Sequence, residues 1–235
     1  MEIAIEEKLT FSRGIKDCIP TLLGYISIGF AAGMIGAASG LSVIEVAFMS
    51  IFVYAGAAQF IICGMLAVNS PASAIIFTTF IVNLRHLLLS ATLAPHFTKY
   101  SLWKNAAIGT LVTDESFGVA AGRIFNNKPV NDRWMNGLNI TAYTTWIASC
   151  VAGAILGKWI SNPEKLGLDF ALTAMFIALL VSQLESVEAA KLKHYITLIL
   201  LMIASMYMFS TFVSVDLAVI FSTVLVATIG VVMDK

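Results

Sequence analysis

Apolar runs of roughly membrane-spanning length recur along the chain, parted by short polar breaks. A helix rises about 1.5 Å per residue, so about 20 apolar residues cross a hydrocarbon core of about 30 Å. Eight segments fit that length or come close, at 18–39, 44–68, 71–95, 104–125, 135–157, 168–187, 195–213 and 216–233. The second opens on Ser42-Val43-Ile44-Glu45, the spacing of a capping box. The third opens on Ser70-Pro71, an N-cap residue followed by proline at the first helical position. Pro20 falls in the first turn of the first segment, where its missing N–H does no harm, and Pro95 and Pro163 fall between segments. The last two segments are short and meet at Ser214-Val215; about eight spans are expected, with seven possible, and a re-entrant pair there changes the count but not the class. The pattern predicts an all-α, polytopic transmembrane helix bundle. Residues 1–235 read as a single membrane domain, with 1–16 a cytoplasmic or interfacial segment.

Composition agrees. Of 235 residues, 59% are hydrophobic and only 12% charged, against about 25% charged in soluble domains. The formal net charge is zero, which excludes nucleic acid and a polybasic lipid-docking role. Cys18, Cys63 and Cys150 are isolated in apolar surroundings and read as small core residues; no metal or cofactor site is expected. The acidic and basic residues Glu2, Glu6, Glu7 and Lys8, with the long apolar run after them, do not form a cleavable signal peptide. With eight spans and the N-terminus inside, inner segments carry nine Lys or Arg and outer loops four, so the positive-inside rule places both termini in the cytoplasm.

Glycines mark where helices approach closely. Gly29, Gly33, Gly36 and Gly40 form one stripe on the first helix, Gly118 and Gly122 repeat the spacing on the fourth, and Gly153 and Gly157 on the fifth. In lipid such faces let backbones touch, and tight packing is the expected role.

Polar groups at membrane depth carry the chemistry. Burying Arg, Lys or Asp at the bilayer centre costs roughly 2.5–3.5 kcal/mol on the insertion scale, so such residues persist where they act. On the third helix Thr79, Asn83, His86 and Ser90 form one stripe, with Arg85 turned about 100° from His86. On the fourth, Thr110, Asp114, Gly118 and Gly122 are expected to share a face, with Glu115 beside them. Two readings compete: an Arg85–carboxylate pair that pins two helices, or a polar site for a solute. One Arg leaves one acid uncompensated, which favours the solute site. There Arg85 meets a carboxylate, Asp114 or Glu115 an ammonium or proton, and His86 relays protons. Tyr54-Ala55-Gly56-Ala57-Ala58-Gln59-Phe60, with Gly56 and a buried Gln59, suggests either a helix locally unwound or closely approached, of the kind that lines transport sites, or one in which Gln59 is interhelical glue. Asn139, Thr141, Tyr143, Thr144 and Thr145 add a polar run on the fifth helix. Asp169 reads as a favourable anion at a helix start, and Glu185, Glu188, Lys191 and Lys193 as a solvated rim. No HExxH, GxSxG or Gly-rich phosphate loop is present, and catalysis is not expected.

These motifs resemble the AzlC-like family, the large subunit of bacterial branched-chain amino acid exporters. The resemblance rests on Phe11-Ser12-Arg13-Gly14 with Asp17 and Pro20, Gly24-Tyr25, Gly29-Phe30 and the Tyr54–Phe60 run. It continues through Asn83-Leu84-Arg85-His86, Leu93-Ala94-Pro95, Thr113-Asp114-Glu115-Ser116-Phe117, Gly167-Leu168-Asp169-Phe170-Ala171 and Phe176-Ile177-Ala178-Leu179-Leu180. Ser27 and Thr173 stand where the family has prolines. The resemblance implies multi-pass residence in the cytoplasmic membrane and export of leucine, isoleucine, valine or methionine. It also implies coupling to the proton gradient and a small hydrophobic AzlD-like partner subunit. The expected substrate-binding residues are Arg85, Asn83, Asp114, Gln59, Tyr54 and Gly56, and the expected proton-coupling residues Glu115 and His86. The rival readings are a facilitator or channel, and a non-transporting subunit whose charges dock a partner.

Overall fold

The computed structural model describes residues 9–157, 177, 180, 181, 184, 189–213 and 215–233. Every regular element among them is helical. The contacts divide the chain into two compact units, Met1–Leu172 and Thr173–Lys235.

In the first unit, α1 (Phe11–Ala38) starts seven residues earlier than its apolar run, because Thr10 caps it and accepts a hydrogen bond from the Arg13 N–H at 3.2 Å; Pro20, expected in the first turn, therefore lies inside the helix. Its partner is α7 (Asp132–Gly157). Glycines bring the two backbones together: a Cβ on Gly14 would lie 2.0 Å from the Trp134 carbonyl oxygen, and one on Gly33 1.9 Å from that of Cys150. From the other side, a Cβ on Gly137 would meet the Phe11 carbonyl oxygen at 2.1 Å, and one on Gly153 that of Phe30 at 2.0 Å. Residue numbers rise together along this seam, so α1 and α7 run parallel. Packing accounts for Gly29, Gly33, Gly36, Gly153 and Gly157 as expected, but Gly40, which lies in the turn after α1 at φ +90°, and Gly118 and Gly122 are exposed and would meet no atom within 4 Å.

The α1–α7 seam serves as a depth scale for the rest. The apolar segment 44–68 is two half-helices, α2 (Val43–Phe52) and α3 (Gly56–Ala67), parted at Val53-Tyr54-Ala55. Along α2, Val46 meets Gly36 of α1, and lower down the Ile51 carbonyl accepts from the Tyr143 hydroxyl at 3.0 Å. Along α3, Gly56 lies on Trp146, Gln59 beside Cys150, and Cys63 back against Gly36. In an unbroken helix Val46 and Cys63 would stand about 25 Å apart; here both touch one glycine. The segment descends to mid-depth and returns.

The segment 104–125 does the same from the opposite side. It follows α4 (Ala72–Leu93) and a 3₁₀ turn (Ala94–Phe97), and comprises α5 (Leu102–Gly109) and α6 (Asp114–Phe125). Lys104 pairs with Asp132 at the start of α7 (3.0 Å), while Asn139, two turns further along α7, donates to the Ile108 carbonyl (3.1 Å). Thr113 and Glu115 then reach Tyr25 at mid-depth, and Arg123 returns to Asp17 near the start of α1 (3.3 Å). The second and fourth expected spans are therefore re-entrant hairpins, and the break at 110–113 removes the face that Thr110, Asp114, Gly118 and Gly122 were expected to share.

Backbone groups freed at a break inside a bilayer need partners. Gln59 Nε2 donates to the Val53 carbonyl at 2.7 Å, Ser90 Oγ to the Gly109 carbonyl at 3.2 Å, and Thr113 with Ser116 caps α6 reciprocally. The result is one motif used twice in opposite directions, a long helix followed by a hairpin: α1 with α2–α3, then α4 with α5–α6. Such inversion is familiar in secondary transporters.

In the second unit, α8 (Ala189–Ser210) packs on α9 (Val215–Met233), with Phe209 and Phe221 ring centroids 5.8 Å apart and Leu198 against Gly230. Four helical stretches among the described residues are long and apolar enough to cross a membrane: Phe11–Ala38, Ala72–Phe97, Asp132–Gly157 and Lys191–Ser210. Asp169, Glu185, Glu188, residues 1–8 and most of the sixth segment, 168–187, lie outside the described residues.

Candidate functional site

A cavity of about 960 Å³ lies between α4, α5 and the two hairpin tips, within the range of small-molecule sites. The first tip contributes Val53, Tyr54 and Ala55, the second Thr110, Leu111 and Val112, and α7 contributes Tyr143. The α4 stripe read from the sequence, Thr79, Asn83, His86 and Ser90, lines it in full. On the other side of α4, Phe77, Leu84 and Leu88 are exposed.

Much of the wall is apolar, including Leu87, Ala91, Leu93, Phe97 and Ile108. Set into it are four buried polar atoms without a hydrogen-bond partner: the Tyr54 hydroxyl, Thr79 Oγ1, Asn83 Oδ1 and Asn105 Oδ1. Leaving such a group unpaired costs about 1–3 kcal/mol, so a polar solute that pairs with them recovers free energy that the protein alone does not. The Tyr54 ring is held edge-on to Tyr143 at 4.9 Å.

The charged residues stand beside this cavity, not on its wall. Arg85 pairs with Asp114 at 3.1 Å, tying α4 to the second tip. Glu115 accepts from the Tyr25 hydroxyl at 3.1 Å, and the same hydroxyl bonds to Thr113. Both acids occupy the first turn of α6, where the helix dipole favours negative charge. Gln59 is committed to the backbone of the first tip, and Gly56 to contact with Trp146. Of the polar run on α7, Tyr143 reaches the cavity, Asn139 caps α5, and the Thr141 and Thr144 hydroxyls bond back to their own helix. The structure thus sets Tyr54, Asn83 and His86 around one cavity and leaves Arg85, Asp114 and Glu115 outside its lining.

Sequence reasoning missed a second polar cluster. Asp17 accepts from Trp134 Nε1 at 2.9 Å and pairs with Arg13 (3.1 Å) and Arg123 (3.3 Å), joining α1, α6 and α7. Arg123 also lies over the Trp134 ring at 5.3 Å. Its signal was the lone Asp17 among cations near an apolar run. Asn105, also missed, stands in a segment too mixed in polarity to single it out.

Comparison with known proteins decides the family. Residues 20–160 match the sequence model described as AzlC protein. The chain belongs to the AzlC family. It is 31% identical over 186 residues to the inner membrane protein YgaZ of Escherichia coli K12, covering 75% of this chain and 74% of that one. It is 30% identical over 206 residues to the branched-chain amino acid transport protein AzlC of Bacillus subtilis 168, covering 85% and 77%. An uncharacterized membrane protein of Archaeoglobus fulgidus is 27% identical over 191 residues, covering 77% and 80%. No solved structure matches. The family membership and the apolar helices together make the chain a membrane transport component.

Proposed function

We propose that the chain exports branched-chain and related hydrophobic amino acids, namely leucine, isoleucine, valine and methionine, from the cytoplasm, with the cavity as its substrate site. The observation that carries this reading is the set of four unpartnered polar atoms in an otherwise largely apolar cavity at the meeting of two hairpin tips. An aliphatic amino acid offers that pattern in reverse, a small polar end and an apolar end. Asn83 Oδ1 serves as an acceptor for the ammonium, and Leu87, Leu93 and Phe97 receive the side chain. An apolar pocket separates one methylene by only about 1–3 kcal/mol, so several substrates share the site. Arg85 and Asp114 hold the second tip in place, and Glu115 with His86 is assigned to proton coupling. The small AzlD-like subunit belongs to the same reading.

The hairpins sharpen the topology. In the first unit the two hairpins leave three spans, α1, α4 and α7, where five apolar segments are expected to cross. Lys99 and Lys104, outer residues in the eight-span reading, move to the side of the N-terminus through the Lys104–Asp132 pair. No Lys or Arg lies between Lys16 and Arg85, so the turns at the other ends of α1 and α4 carry none. That asymmetry supports a cytoplasmic N-terminus.

The test is exit of labelled leucine from liposomes holding the chain and its small partner, under an imposed pH gradient. Gradient-driven exit that is lost in Asn83→Leu, with the complex intact, supports a coupled exporter. Exit indifferent to the gradient marks a facilitator, and no exit from a folded complex marks a docking subunit.

A further inference from the structure

We infer that Tyr25 is the positioning residue that makes proton and substrate exclude one another. Its hydroxyl turns its hydrogen to Glu115 when that acid is ionised and to Tyr54 when it is neutral. This rests on the reading above, in which the cavity takes an amino acid and Glu115 takes the proton.

Tyr25 belongs to α1, on the stiff seam with α7, and is 3% exposed. Its ring meets Trp146 of α7 edge-on at 5.9 Å, so the ring is held while the hydroxyl hydrogen rotates. From the second tip, Thr113 Oγ1 bonds to the hydroxyl, and Glu115 Oε2 accepts from it at 3.1 Å. A phenol has one hydrogen, so with that hydrogen on Glu115 the Thr113 hydroxyl is the donor to Tyr25. The Ser116 N–H in turn donates to Thr113 Oγ1 at 3.3 Å. Every hydrogen in this chain points toward the carboxylate. Among the described residues no cation pairs with Glu115, whereas Asp114 beside it holds Arg85 at 3.1 Å.

On the first tip, the Tyr54 hydroxyl has those of Tyr25 and Thr113 as neighbours but hydrogen-bonds to neither. Its ring is held edge-on to Tyr143 at 4.9 Å, and it lines the cavity. With Glu115 ionised, the Tyr54 oxygen keeps its lone pairs for a ligand, and a substrate ammonium is a donor that suits both it and Asn83 Oδ1. With Glu115 neutral, its carboxyl O–H donates to Tyr25, which then accepts from Glu115 and Thr113 and turns its own hydrogen to Tyr54. Tyr54 now presents a hydrogen to the cavity, which an ammonium cannot accept, and the negative charge that favoured the ammonium is gone. One proton is taken up, at Glu115, and otherwise only hydroxyl hydrogens rotate. Exchange of a proton for a substrate is antiport, the sense in which an inward proton gradient drives export.

Other titratable groups face this chain. Cys18 on α1 and Asp114 on α6 lie near Glu115, and His86 lines the cavity from α4, so each variant is read against the others.

The experiment measures leucine affinity between about pH 5 and about pH 8 for the full-length chain, purified with its small partner in nanodiscs. Wild type is expected to bind about tenfold or more tighter at the upper end, the factor a charge-assisted hydrogen bond carries. Tyr25→Phe and Glu115→Gln are each expected to flatten that response to within about twofold, and the double variant to flatten it no further. Tyr54→Phe, which keeps its ring on Tyr143, should flatten it equally and stands in if Tyr25→Phe does not fold. A full response in Tyr25→Phe or Tyr54→Phe, with none in Glu115→Gln, overturns the Tyr25 assignment and leaves proton coupling at Glu115 standing. A full response in Glu115→Gln as well overturns both and moves the coupling to His86. Tighter binding at the lower end overturns the exchange, and no leucine binding to a folded preparation overturns the amino acid reading itself.

Discussion

The re-entrant hairpins make a prediction with opposite signs in the two topologies. Single cysteines are placed at Val68, Lys99 and Lys128, all exposed positions in turns. The 22 residues of α4 rise about 33 Å at about 1.5 Å each, so its two ends emerge on opposite faces of a core about 30 Å thick. If 104–125 crossed the membrane, residues 99 and 128 would emerge on opposite faces, and 68 would share a face with 128. With the hairpins, 99 and 128 share a face and 68 is alone, because Lys104 sits 3.0 Å from Asp132 and Val46 and Cys63 flank one glycine. A membrane-impermeant maleimide, applied to intact cells and to inverted vesicles, reads the difference directly. Background labelling is low, since Cys18, Cys63 and Cys150 are at most 1% exposed. In intact cells position 68 should label while 99 and 128 stay protected, and inverted vesicles should reverse the pattern. Positions 68 and 128 labelling together, with 99 opposite, would refute the hairpins and restore continuous spans.

Three further outcomes follow. Arg85→Met leaves Asp114 without its partner in a half-buried site and should cost about 2–3 kcal/mol, below the 3–5 kcal/mol of a fully buried pair; adding Asp114→Asn should restore most of it, and simple additivity in a double-mutant melting cycle would argue against the pair. Gly33→Ala forces a methyl to within 1.9 Å of the Cys150 carbonyl oxygen and should lower stability by about 3 kcal/mol, while Gly118→Ala, in open space, should stay within about 0.5–1 kcal/mol of wild type by the same unfolding assay. Gln59→Leu removes the donor to the Val53 carbonyl and should cost about 1–3 kcal/mol, with faster hydrogen exchange at the first tip than at the second.

The start of α2 and the α4 stripe were legible because each depends on local sequence, whereas α1 starts earlier than its apolar run and Pro71, not Ser70, is the N-cap of α4, with no side-chain hydrogen bond. Ser42 with Glu45 predicted the capping box of α2, and the spacing of Thr79, Asn83, His86 and Ser90 placed them on one face. The reversal of 44–68 was half legible: the Gly56–Gln59 run marked a break, but a break alone does not say whether the chain continues or turns back. That choice is made by contacts distant in sequence, such as Cys63 on Gly36 and Asn139 on Ile108, which no hydropathy window records. The break in 104–125 was hidden because Thr110 and Asp114 have helical spacing, and only the Thr113–Ser116 box betrays a new start. The cavity placed Tyr54, Asn83 and His86 together but left Arg85 bound to Asp114, an ion pair that spacing could suggest but not locate.

The glycine seam between α1 and α7 has a mechanical consequence. At Gly14, Gly33, Gly137 and Gly153 backbone rests on backbone, with no intervening side chain whose rotamer can change. Sliding or opening such a joint drives carbonyl oxygens into Cα atoms, so the pair behaves as one stiff axle. The half-helices are held to it mostly through side chains, among them Gln59, Tyr143, Asn139 and Tyr25, which can exchange partners at small cost. Movement that carries a solute past mid-depth therefore falls to the hairpins turning about a fixed shaft, and a crosslink within the seam should leave transport intact where one across a hairpin arrests it.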